Sequence, residues 1–83
     1  MKIVYFAWVR ESIGISSEEI DLPKDVKTIE SLLELLSQKN SKYTNAFHKK
    51  NLLRFSINLE FADINQAIKN TDEVAIFPPV TGG

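Results

Sequence analysis

Between residues 29 and 36, four apolar side chains, Ile29, Leu32, Leu33 and Leu36, recur at i, i+3, i+4 and i+7. This spacing gathers them on one side of an α-helix. Thr28 can accept a free first-turn amide as N-cap, and Glu30 lies favourably against the positive end of the dipole, so a helix is predicted over 29–39. A chain of 83 residues makes one domain, near the lower limit at which a single core holds without metals or disulfides. Its one long helix must close the hydrophobic interior, so the stripe reads as core rather than as a partner-binding surface.

The flanking segments are strand-like. Residues 2–9 are rich in β-branched and aromatic types and read as one strand, with Ile3, Tyr5, Ala7 and Val9 on one face and Val4, Phe6 and Trp8 on the other. A turn over 12–14 leads to a second strand near 15–22, ended by Pro23. Residues 40–51 are polar and hold a short helix or irregular turn around 43–48. A third strand is predicted at 52–59, and 60–62 could be a fourth. Residues 63–70 read as a turn with one helical loop, and 73–77 as the last strand. The order predicts an α+β fold of two layers: a mixed sheet of four to five strands with the main helix on one face. One helix leaves the other face uncovered. Val4, Phe6 and Trp8, with Phe61 and Phe77, supply apolar surface there, which either docks a larger protein or folds under loops.

Several function classes are excluded. Net charge is −1 with Lys and Arg dispersed, which offers no footprint for nucleic acid or an anionic membrane. His48, in the only basic cluster, has no Asp, Glu or His at ligand spacing and reads as a surface histidine, so no metal site is expected. The absence of cysteine removes disulfides, thiolate metal sites and thiol nucleophiles. No run approaches a membrane span and no signal-peptide pattern opens the chain, so a cytoplasmic protein is expected.

The end of the chain carries the strongest functional signal. Prolines at 78 and 79 stiffen the approach, Val80 and Thr81 are β-branched and favour extended backbone, and Gly82 and Gly83 lack a Cβ and fit a slot that would exclude a side chain. Residues 1–77 therefore read as the domain and 78–83 as an extended tail whose free Gly83 carboxylate is the working group. At about 3.3 Å per extended residue the tail from Pro79 spans roughly 16 Å, enough to enter a buried pocket. The alternative is an inert, frayed terminus.

The run from Tyr5 to Glu11 with Gly14, the pair Ile57-Asn58, and the block from Asp72 through Phe77-Pro78-Pro79-Val80-Thr81-Gly82-Gly83 resemble the small, sulfur-carrier subunit family of molybdopterin synthase, within the ubiquitin-like β-grasp superfamily. The likeness spans essentially the whole chain, and the final block is its most specific part. The resemblance implies that an ATP-dependent adenylyltransferase of the ubiquitin-activating type adenylates Gly83. A persulfide sulfur donor would then convert Gly83 to a thiocarboxylate, and the large subunit's active site would pass that sulfur to cyclic pyranopterin monophosphate to build the dithiolene of molybdopterin. It implies a heterotetramer of two small and two large subunits, no cofactor bound by this chain, and Phe6, Phe61 and Phe77 at the docking interface, with Pro78, Pro79, Val80, Thr81 and Gly82 as the tail. Arg10 and Glu11 fall in the N-terminal motif and read as a surface ion pair. Asn70-Thr71 stand where many relatives have glycine, and asparagine tolerates left-handed backbone. A carrier or modifier for thiamin thiazole or transfer-RNA thiolation, and a non-catalytic interaction module, are the alternatives.

Overall fold

Strand β1 (Lys2–Tyr5) stops well short of residue 9. The structure, a computed structural model, describes residues 1–79; Val80, Thr81, Gly82 and Gly83, on which the tail reading falls, lie outside the described residues. Phe6 is still extended, but Ala7 takes φ +53° and opens helix α1 (Ala7–Ile13), which corrects the single strand expected over 2–9. The reason lies in burial. Val9 and Ile13, one helical turn apart, are 0% and 5% exposed, and this i, i+4 pair outweighs the local β propensity of the aromatic run. Gly14 ends the helix in the left-handed region (φ +95°), its N–H donating to the Arg10 carbonyl at 2.7 Å. It is therefore a helix cap, where the sequence suggested a hairpin turn.

Strand β2 (Ser17–Glu19) pairs antiparallel with β1 and is shorter than the expected 15–22, although Tyr5 N–H to Ser16 O and Ile20 N–H to Met1 O continue the ladder at both ends. Helix α2 (Ile29–Ser37) is the expected one. Thr28 Oγ1 accepts from Ser31 N–H and Ser31 Oγ accepts from Thr28 N–H, a reciprocal cap. Its four stripe residues are all buried, each contributing about 1.5–3 kcal/mol over an exposed position. Helix α3 (Ser41–Phe47) follows, capped by Asn40 Oδ1 and burying Tyr43, Ala46 and Phe47, with His48 exposed at its end.

A 3₁₀ turn (Lys50–Leu52) leads into β3 (Arg54–Ile57), β4 (Glu60–Ala62) and finally β5 (Glu73–Phe77). No helical turn forms between residues 63 and 70. The backbone there is engaged elsewhere: Gln66 O and Ile64 O accept from Ile29 and Glu30 N–H, two first-turn donors of α2 that have no partner inside the helix.

The strands form one mixed sheet in the order β2-β1-β5-β3-β4, with β1 and β5 parallel and the other pairs antiparallel. Ile3, Tyr5, Phe55, Val74 and Ile76 point inward and join the helix side chains in a single buried cluster. The expected two-layer α+β architecture is present, with α1 and α3 supplementing the main helix. Glu18 also points inward, from the edge strand β2. Its Oε2 accepts from both Tyr5 OH and Tyr43 OH at 2.7 Å, and its Oε1 from Lys39 Nζ at 2.8 Å. Partial burial opposes its ionisation, but the bonds from Lys39, Tyr43 and Tyr5 outweigh it and hold the carboxyl below its ordinary value. Burial, then Glu18, pushes the Tyr43 phenol up to about 12. An inward charge on an edge strand also discourages pairing with another chain.

Candidate functional site

Among the described residues, no helix covers the outer face of the sheet, since all three helices bury their apolar side chains in the one core cluster. In its central row Val4, Ala75, Ser56 and Phe61 sit side by side across four strands, and one row nearer the chain end Phe77 lies beside Arg54. Phe6 closes the patch, because its extended backbone keeps it in the sheet, with its N–H donating to Ile76 O at 3.2 Å. Apart from Arg54, these residues line an open apolar groove of about 610 Å³. Phe6, Phe61 and Phe77 form its walls with Leu59; Val4 and Ala75 form its floor. Pro78 and Pro79 line the same groove, so the tail departs directly from it.

All three aromatic residues expected at an interface are thus in one place. Phe61 stacks obliquely on Phe77, with ring centroids 6.1 Å apart, yet is 88% exposed, and Phe6 is 46% exposed. Leu59, also 88% exposed, is a groove residue that the sequence reading missed. A signal for it existed: it follows Asn58 in a two-residue turn between strands, where glycine is the usual occupant. Large apolar side chains left this open each stand to gain about 1.5–3 kcal/mol when a partner covers them. Trp8 does not line the groove. It belongs to α1, because the strand ends before it. Arg10 and Glu11 are exposed and make no ion pair with each other, contrary to the expected surface pair. Neither Asn70 nor Thr71 adopts the left-handed backbone that glycine at this turn would favour.

Among the described residues no His, Asp and Glu cluster could hold a metal ion, and no helix is long and apolar enough to cross a membrane. Among the described residues, Glu73 is the one ionisable side chain lining the groove. What the described residues present here is an exposed apolar surface that runs into Pro78 and Pro79.

Comparison with known proteins agrees with this geometry. The model of the ThiS family matches residues 3–83. A molybdopterin synthase sulfur carrier subunit from Haemophilus influenzae is 42% identical over 83 residues, covering 100% of this chain and 99% of its own. Among solved structures, SAMP1 from Haloferax volcanii superposes with a TM-score of 0.74 at 26% identity, covering 100% of this chain and 98% of that one. At the level of fold alone, a protein–protein complex of subunits 1 and 2 of molybdopterin-converting factor from Helicobacter pylori contains a chain with a TM-score of 0.58 at 18% identity, covering 99% of this chain and 96% of that one. The fold is therefore the ubiquitin-like β-grasp, and the chain belongs to the ThiS family, in its group of molybdopterin synthase sulfur carrier subunits.

Proposed function

We propose that this chain is the sulfur-carrying small subunit of a cytoplasmic molybdopterin synthase, with residues 1–77 as the gripped body and 78–83 as the delivering arm. The observation that carries the reading is the apolar groove at the root of the tail. A docking surface continuous with Pro78 and Pro79 lets a partner grip the body and receive the chain end in one binding event.

The chemistry follows from the Gly83 carboxylate, which is resonance-stabilised and a poor electrophile. One of its oxygens attacks the α-phosphorus of ATP on an activating enzyme, pyrophosphate leaves, and the carbonyl becomes an acyl-adenylate. The outer sulfur of a donor persulfide adds to that carbonyl and AMP departs. A thiol then attacks the inner sulfur of the resulting acyl disulfide, releasing the thiocarboxylate and leaving a disulfide on the donor. In the large subunit the thiocarboxylate sulfur bonds to a carbon of the pterin precursor while that carbon's bond to oxygen breaks, the oxygen leaving as water or with phosphate, and a second water cleaves the acyl–sulfur bond, returning the Gly83 carboxylate while sulfur stays on the product. Two rounds supply the two sulfurs of the dithiolene. Gly82 gives the backbone room at the reaction centre, and Phe6, Leu59, Phe61 and Phe77 hold the large subunit in an assembly of two small and two large subunits. The Helicobacter pylori complex of subunits 1 and 2 supports such a pairing. The chain itself binds no cofactor; ATP is used by the activating partner.

Co-expression with the activating enzyme and a sulfur donor, followed by accurate mass spectrometry of a C-terminal fragment, tests this. The expected result is replacement of one terminal oxygen by sulfur, abolished by deletion of Gly83. Complete absence of that species refutes the carrier mechanism. A modifier reading is favoured by the likeness to SAMP1. It predicts isopeptide conjugates of Gly83 to lysines of other proteins, detectable in the same experiment.

A further inference from the structure

The turn that carries Leu59 works against its own local energetics. Asn58 has φ +51° and Leu59 φ +71°, so both central residues of the β3–β4 hairpin are left-handed, as in a type I′ turn. Asparagine accepts that region, whereas leucine is strained there. Leu59 gains no burial in exchange, being 88% exposed.

Asn58 supplies the restraint. Its N–H donates to Glu73 O at 2.8 Å, its Oδ1 accepts from Glu73 N–H at 3.0 Å, and its Nδ2 donates to Asp72 Oδ1 at 3.0 Å. Asp72 is 5% exposed, and its Oδ2 accepts from Lys69 N–H at 2.9 Å. Lys69 Nζ, 3.9 Å from Asp72 Oδ1, is the nearest cation. The hairpin tip is therefore fastened to the beginning of β5, the strand whose far end is Phe77 and the tail. Through Asn58, a buried carboxylate thus holds an exposed, strained leucine in place.

We infer that Asn58 and Asp72 are positioning residues for docking: their hydrogen-bonded lock fixes Leu59 at the groove wall before the partner arrives. This rests on the docking reading above. Preorganisation of this kind raises affinity by removing the ordering cost from the binding step. Neither residue needs to touch the partner.

The test measures affinity of the full-length protein for the purified large subunit by calorimetry, beside thermal unfolding. Asn58→Asp replaces the donor Nδ2 with an oxygen facing Asp72 Oδ1, and is expected to weaken binding about tenfold. Combining it with Asp72→Asn exchanges donor and acceptor. The new amide at 72 donates to the carboxylate at 58 and still accepts from Lys69 N–H, while the carboxylate still accepts from Glu73 N–H, so affinity returns to within about twofold of wild type. In a Leu59→Ala background the effect of Asn58→Asp shrinks below about threefold, because the residue it positions has gone. If Asn58→Asp does not fold, Asn58→Gly, which keeps the left-handed turn and deletes the side-chain bonds, takes its place with the same expectations for affinity and for the Leu59→Ala background. Failure of the exchange to rescue, or a loss that persists undiminished without Leu59, overturns the lock. A folded wild type that does not bind the large subunit at all overturns the docking reading itself, and the lock with it.

Discussion

Removing the Glu18 carboxylate should unfold this protein more readily than any other single loss of a surface-edge charge. Glu18→Ala leaves Tyr5 OH, on a residue 1% exposed, without its acceptor, at a cost of about 1–3 kcal/mol. Tyr43 OH loses the same acceptor, in a less buried setting, for about 1 kcal/mol. The Lys39 pair is exposed on the lysine side and adds little. The sum is about 3 kcal/mol, a large share of the roughly 5–15 kcal/mol that holds a small domain. It corresponds to a fall in Tm of roughly 12–24 °C. Urea unfolding followed by far-ultraviolet circular dichroism measures it. Tyr5→Phe alone should cost about 1 kcal/mol, and the double variant should lose less than the sum, since the orphaned hydroxyl is then absent. A Glu18→Ala change under about 0.5 kcal/mol, the range of an ordinary surface substitution, refutes the reasoning.

The same carboxylate has a pH signature. Its folded pKa lies below the ordinary 4.5, so its stabilisation is complete above that value and is lost as pH falls through the folded value; acid titration of Glu18→Gln should show a shallower decline over that limb. Phe77→Asp, on the outer face, should weaken binding to the large subunit more than about tenfold while circular dichroism and Tm stay close to wild type; global unfolding would instead show Phe77 to belong to the core. Leu36→Ala, in the main helix and 1% exposed, should destabilise by about 2–5 kcal/mol without altering the groove.

The main helix was legible because its evidence is local and redundant: a period of 3.6 in Ile29, Leu32, Leu33 and Leu36, with a hydroxyl cap at Thr28. Strand β5 and the α+β class were legible for the same kind of reason. The groove was legible in part. Phe6, Phe61 and Phe77 could be assigned to an uncovered face because a single long helix shields only one side of a sheet. Leu59 was overlooked because its exposure comes from a left-handed turn that the residue type itself disfavours.

By itself the amino-acid sequence determined the class of fold and the composition of the core stripe, since each depends on residue type and near-neighbour spacing. Only the tertiary structure decided that residues 7–13 coil instead of extending. Strand and helix differ there by little locally, and burial of Val9 and Ile13 against distant side chains settled the choice. Tertiary contact likewise turned Glu18 and Asp72 from ordinary acidic residues into anchors, because their partners, Tyr43 and Asn58, lie 25 and 14 positions away along the chain and meet them only when the fold is complete.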